Sequence, residues 1–303
     1  MTAPPPDPGL AAIISERRQL INVAYRLLGS LAEAKDAVQE TYARWYALTP
    51  AQRDAIDSPG AWLTTVASRI CLDQLGSARA RRVRYVGPWI PEPLPEPAEW
   101  VSSGGPPADP ADRVTLDESV SMAFLVVLES MTPAERVAFI LHDVFGYPFA
   151  EIAGIVGRTP AACRQLASSG RRRSRAAHRP AAPTARQSAL VRDFGKTWQA
   201  SDIAVLVALL DPDAVITSDG GGQAIAARHP VKGAGLVSRF LAGIAAHADD
   251  LTVAERTVNG QPGLIAQRGG TTVTVLAFGI EGDRITRIWA IRNPDKLRAW
   301  APG

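Results

Sequence analysis

The chain has 303 residues, 46% hydrophobic and 21% charged, enough for two or three cores. Its formal net charge is only +3 although its isoelectric point is near 9.1, so the basicity is local, in residues 79–84 and 164–179, as nucleic-acid contact requires. Cys71 and Cys163 fit neither a disulfide framework nor a four-ligand zinc site. The proline-rich start lacks a signal-peptide pattern, and no apolar run nears the roughly 20 residues that span a bilayer. A reducing, cytoplasmic setting without a membrane partner is the expectation.

The first block, about 10–85, is helical in pattern. Ile13, Ile14, Leu20, Val23, Ala24, Leu27 and Leu28 recur at helical spacing until Gly29. A second helix is expected from about Ala32 to Leu48. A third follows Ser58-Pro59-Gly60 and carries Trp62, Leu63, Val66, Ile70, Leu72 and Leu75. From 86 to 113, Pro, Gly and acidic residues forbid a continuous helix and predict an extended linker.

Helical pattern resumes at 114–178 and contains FAEIAGIVGRTPAACRQLASSGRRRSR, Phe149–Arg175. Ile152, Ala153 and Val156 give a first helix its apolar stripe, and Gly157 stops it. Thr159 is a hydroxyl N-cap with Pro160 at the first helical position. The second helix separates Arg164, Gln165 and Ser168 from Cys163, Leu166 and Ala167. Such a helix-turn-helix offers Arg and Gln to guanine and adenine edges in the major groove, with Arg171, Arg172, Arg173 and Arg175 for phosphates. Gly170 is a helix-weakening residue, expected to end the recognition helix early and leave Arg171–Arg173 as a flexible clamp.

Residues 185–300 change character. Helical patterns at 186–199 and 202–210 precede β-branched runs at 214–218, 252–258, 263–267, 271–280 and 284–291, with an amphipathic helix at 233–248 among them. Asp211-Pro212-Asp213 reads as a turn. Segregated strands and helices predict an α+β domain with a curved, mostly antiparallel sheet round a pocket. Asp211, Asp213, Asp219, His229 and His247 form no recognisable acid–His motif, so no catalytic residue, metal site or cofactor is expected.

On these residues the chain resembles the extracytoplasmic-function sigma factors of bacterial RNA polymerase. YRLLGSLAEAKDAVQETYARWY (Tyr25–Tyr46) and SPGAWLTTVASRICLDQL (Ser58–Leu75) resemble their sigma-2 region; MTPAERVAFILHDVFGYPFAEIAGIVGRT (Met131–Thr159) resembles sigma-4. The C-terminal block is similar to the SnoaL-like cone domain that one subgroup carries. YVGPWIPEPL (Tyr85–Leu94), DGGGQAIAARHPVKG (Asp219–Gly233) and NPDKL (Asn293–Leu297) resemble that subgroup's signatures. The resemblance implies a multidomain fold: two all-α domains, a sigma-2 helical bundle (10–85) and a sigma-4 helix-turn-helix (114–178), plus an α+β cone domain (185–300).

It also implies roles. Asp36, Gln39, Glu40 and Arg44 would dock on the clamp helices of RNA polymerase core. The loop at about 51–59 and the helix Trp62–Arg82 would capture the melted minus-10 strand, with Arg69 and Asp73 near the base and Arg79, Arg81, Arg82 and Arg84 on phosphates. Thr159, Arg164, Gln165, Ser168, Arg171, Arg172 and Arg173 would contact the minus-35 duplex of the promoter DNA. Asp219, Gly220, Gly221, Asn293, Pro294, Asp295, Lys296 and Leu297 would form a regulatory contact surface, and the cone leaves room for a small-molecule ligand. The competing readings are a ligand-responsive regulator that never meets polymerase core, and a cyclase-type enzyme with a DNA-binding appendage.

Overall fold

The computed structural model describes residues 8–83, 85–95, 118–177, 185–246 and 250–301. The chain divides into two units, one of Met1–Ala80, Glu99–Ser119 and Val127–His178, the other of Arg81–Ala98, Val120–Val126 and Arg179–Gly303.

The first unit is helical: α1 (Pro8–Leu28), α2 (Leu31–Ala47), α3 (Pro50–Asp54), most of α4 (Pro59–Val83), the end of α5 (Met122–Leu128), α6 (Pro133–Phe139), α7 (Phe149–Val156) and α8 (Pro160–Ala177). Helix α1 buries Leu20, Val23, Ala24, Leu27 and Leu28, and packs on the Ala34, Ala37 and Val38 stripe of α2. Ser30 caps α2 by accepting the Glu33 N–H. The loop expected at 51–59 contains α3, because Thr49 and Gln52 form a reciprocal capping box with Pro50 at the first helical position. Thr132 and Glu135 cap α6 in the same way, and α6 runs into a π-helical turn at Ile140–Val144. Burial pushes the Glu135 carboxyl up, but hydrogen bonds from Thr132 and Ser169 prevail and hold it below its ordinary value.

Helices α1–α4 and α6–α8 share this unit through specific contacts. Arg26, fully buried, donates to Ser119 Oγ (2.6 Å) and lies over the Phe145 ring. Arg136 donates to the Leu27 carbonyl (2.9 Å) and to Glu129 (2.8 Å). Tyr147 accepts from Gln19 and donates to Thr64.

The second unit holds α9 (Ala185–Gln199), α10 (Ile203–Leu209), α11 (Ala234–Ala246) and a six-stranded sheet. The strands are β1 (Leu210–Asp219), β2 (Val231–Lys232), β3 (Leu251–Val258), β4 (Gln261–Arg268), β5 (Thr271–Glu281) and β6 (Arg284–Ile291). Their order is β2-β1-β6-β5-β4-β3, antiparallel except for β1 beside β6. Asp211-Pro212-Asp213 lies within β1, where the register against β6 shifts between Leu210 and Val215; a bulge keeps the strand going past Pro212.

The central strands are apolar on both faces. Leu276, Phe278, Ile288 and Ala290 join Phe194, Trp198, Val237 and Leu241 in a core against the helices. Val275, Ala277, Trp289 and Ile291 point the other way, into a second core with Ile90, Met122, Leu297 and Trp300. A sheet buried on both sides needs near-continuous hydrophobic strands. The second cover is the Tyr85–Pro95 segment, the start of α5 and the C-terminal turns.

Candidate nucleic-acid interface and control site

Helix α7 ends at Gly157, which adopts φ 68°, and Thr159 Oγ1 accepts the Ala162 N–H to start α8. Ile152 and Ile155 are the fully buried residues of α7; Ala153 and Val156 are half-buried. Along α8, Cys163 and Ala167 turn inward while Arg164, Gln165 and Ser168 are exposed together with Thr159. The Arg164 guanidinium lies 5.3 Å from the Phe149 ring centroid, a cation–π contact that positions it.

Gly170 does not end the helix. Helix α8 continues to Ala177, because Gly170 is buried where α8 crosses α6. A Cβ there would stand 2.8 Å from Phe139 Cβ, so the missing side chain permits close packing. Arg171–Arg173 therefore stand on an ordered helix, not on the flexible clamp expected from Gly170. Arg171 Nε donates to the buried Asp143 carboxylate at 2.6 Å, and its guanidinium forms an ion pair with that group. Arg173 reaches the Ser130 carbonyl and stands 3.9 Å from Glu135. Arg172 is exposed.

On α4, Arg69 and Asp73 are exposed, and Arg69 Nη2 donates to the Gly154 carbonyl of α7 at 2.8 Å. Trp62 is half-buried, edge-on to Trp45 at 5.2 Å. The side chains of Arg79, Arg81 and Arg82, and the whole of Arg84, lie outside the described residues. Asp36, Gln39, Glu40 and Arg44 share the exposed face of α2, with Arg44 paired to Glu40.

The second unit contains a buried polar node. Asp219 has no exposed surface. Its Oδ1 accepts from Tyr85 OH (2.6 Å) and Gly221 N–H (3.1 Å); its Oδ2 accepts from Ile90 N–H (2.9 Å) and Lys296 Nζ (2.7 Å). Lys296 also donates to the Ile90 carbonyl and sits 4.1 Å from the Trp89 ring centroid. Asn293 Nδ2 donates to Tyr85 OH at 2.8 Å. Burial, then the hydrogen bond to Asp219, raises the Tyr85 phenol above its ordinary range. Gly221 adopts φ 59°, and any Cβ on it would overlap the Asn293 amide. Both signatures, DGGG and NPDKL, thus converge on the Tyr85–Leu94 segment.

Residues 13–81 match the family Sigma-70 region 2, and residues 121–173 match Sigma-70, region 4. Over 296 residues the chain is 37% identical to the ECF RNA polymerase sigma factor SigJ of Mycobacterium tuberculosis, covering 93% of this chain and 90% of that protein. The chain belongs to the extracytoplasmic-function sigma factors. It is also 36% identical over 303 residues to the probable ECF sigma factor SigI of the same species, covering 97% of each. The crystal structure of SigJ superimposes with a TM-score of 0.73 at 32% identity, covering 96% of this chain and 98% of that one. As a sigma factor with a C-terminal α+β extension, the chain is a transcription-initiation factor and not an enzyme.

Within this sigma factor the predicted regulatory residues divide. Asp219, Asn293 and Lys296 touch the Tyr85–Ile90 segment directly, and Leu297 packs with Ile90 in the second core. Gly220 is buried beside the Ala224 carbonyl. Pro294 is exposed, and Asp295 faces away, accepting from Gln223 and paired with Arg298. Those two contacts, Gln223 first, hold the Asp295 carboxyl below its ordinary value. Sequence reasoning missed Asn259 and Trp300. Asn259 accepts the Leu94 N–H (3.0 Å), donates its own N–H to the Leu94 carbonyl (2.9 Å) and its amide to Val120 O (2.9 Å). Trp300 Nε1 donates to the Pro93 carbonyl at 2.9 Å. The Asn259-Gly260 pair was visible only as a hairpin turn.

Proposed function

We propose that the chain binds RNA polymerase core, directs it to promoters with minus-10 and minus-35 elements, and is controlled by its own C-terminal domain. Family membership over nearly the whole chain is the observation that carries this reading. The exposed Asp36, Gln39, Glu40 and Arg44 face of α2 would meet the clamp helices of core. Arg69 and Asp73 would serve the melted minus-10 strand, and Arg79, Arg81 and Arg82 the adjoining backbone. Thr159, Arg164, Gln165 and Ser168 would read the minus-35 duplex, with Arg172 as the phosphate contact best supported by its exposure. Action on polymerase places the protein in the cytoplasm; among the described residues no helix is long and apolar enough to cross a membrane.

Control would run through the Asp219 node. A linker held by Asp219, Asn293 and Lys296 is not free to follow the path between the two promoter-reading elements. Release of that grip would accompany engagement of polymerase. The polymerase-binding part is tested by titrating labelled full-length chain with purified core. Charge reversal of Asp36 and Glu40 to Lys is expected to weaken binding at least about ten-fold. Wild-type affinity in the doubly reversed chain would remove the α2 face from the interface.

A further inference from the structure

The second unit contains a cavity of about 740 Å³ that the sigma-factor reading leaves unused. It lies where β3, β4 and β5 meet α9, α11 and the C-terminal segment. Its size falls in the range of small-molecule sites. Trp198, Ile244, Leu251 and Leu297 make its wall mainly apolar, while Thr272 and Thr274 add hydroxyl-bearing side chains.

Its charge is one-sided. Arg268 and Arg292 both line the cavity, and among the described residues its lining includes no Asp, Glu, His or Cys. Arg268 is exposed and pairs with Asp250 at 3.0 Å. Arg292 differs. One terminal nitrogen donates to the Ile225 carbonyl, its Nε is buried without a hydrogen-bond partner, and among the described residues no carboxylate pairs with it. Burial, followed by repulsion from Arg268, lowers its affinity for the proton. A desolvated guanidinium facing a second cation lacks the charge that would stabilise it.

Gly243 adds an independent sign. It sits within α11, lines the cavity, and among the described residues has nothing within 4 Å of where a Cβ would stand. Packing does not demand glycine there, and a helix interior disfavours it. Its absent side chain leaves the cavity open.

We propose that this cavity is a binding site for an amphipathic organic anion, with a carboxylate or similar head paired to Arg292 and an apolar body lying along Trp198, Ile244, Leu251 and Leu297. Binding is carried by the Arg292 guanidinium and the apolar wall. Arg292 N–H donates to the Asp219 carbonyl at 2.7 Å, so occupancy is one residue from Asn293 and the linker node. That coupling rests on the control reading above; binding does not.

The test is calorimetric titration of the full chain with dodecanoate and, separately, with dodecan-1-ol. The acid is expected to bind saturably and at least about ten-fold more tightly than the alcohol, the worth of one charge-assisted contact. Arg292→Met should reduce dodecanoate affinity to that of the alcohol and leave alcohol binding unchanged. Gly243→Leu should abolish both while keeping thermal stability. Should Arg292→Met fail to fold, the acid–alcohol comparison and Gly243→Leu decide alone. Equal affinity for acid and alcohol, survival of dodecanoate binding in either variant, or no saturable binding overturns the assignment. If binding obeys all these rules but dodecanoate leaves hydrogen exchange at Ile90 unchanged, the site stands and its coupling to the linker fails.

Discussion

Asp219 and Lys296 are one buried ion pair, with Tyr85 and Ile90 completing the carboxylate's hydrogen bonds. Truncating one partner of such a pair leaves the other charge buried and unpaired, at about 3–5 kcal/mol. Lys296→Met should therefore loosen the linker, and the Ile90 amide should exchange with solvent about a hundred-fold faster or more; unchanged protection would show that the node does not hold the segment. The arginines of α8 need the same residue-level distinction. Arg171→Ala should lower stability by about 1.5–3 kcal/mol, since the buried Asp143 carboxylate loses a charge-assisted hydrogen bond. Arg164→Ala should leave the melting temperature alone and weaken duplex binding by about 1–3 kcal/mol. Melting curves and DNA titrations separate the two, and a loss of DNA affinity without loss of stability in Arg171→Ala would reverse the assignment. In the sequence these arginines look alike. Partners distant in the chain distinguish them: Asp143, 28 residues before Arg171, and the Phe149 ring under Arg164.

Elements were more legible than single residues. The apolar stripes of α1, α2, α4 and α11 follow helical spacing, and the β-branched runs of β3 to β6 fall where strands form. What the pattern did not disclose was the cover on the second face of the sheet. The continuous runs Thr274–Phe278 and Ile288–Ile291 carried the signal, because a one-faced strand alternates. The covering residues fall in the stretch expected as an extended linker; the described 85–95 contain no helix, and side chains of Asp219, Lys296, Asn259 and Trp300 each bond one of their backbone groups. Gly170 departs from its expectation for the opposite reason. Propensity counts the about 1 kcal/mol it loses to alanine inside a helix, whereas the packing of α8 on α6 leaves no room for the methyl. Gly170→Ala should accordingly lower stability by about 1–3 kcal/mol despite the better helix former; a higher melting temperature would mean that Phe139 yields.

For the whole molecule, the division into units cuts across the order of the chain. Region-2 and region-4 helices share one unit, while the Tyr85–Pro95 segment and the start of α5 belong with the C-terminal sheet. Sequence breaks at Pro-rich stretches mark where the composition changes, and contacts between distant segments such as Tyr85 and Asn293 reassign what lies between. The sigma-factor identity was readable from the region-2 and region-4 motifs, and the extension from its DGGG and NPDKL signatures. Their convergence on one carboxylate was not, since it depends on three segments that meet only in the fold. The central claim is that this chain confers promoter-specific initiation on core polymerase under control of its own extension. Its most direct test is run-off transcription with purified core and the full chain on templates selected from a randomised promoter library. The account predicts a discrete transcript that requires the chain, is lost in Arg164→Ala on the same template, and changes in yield with Lys296→Met. No transcript above that of core alone, with no association between chain and core, would contradict it.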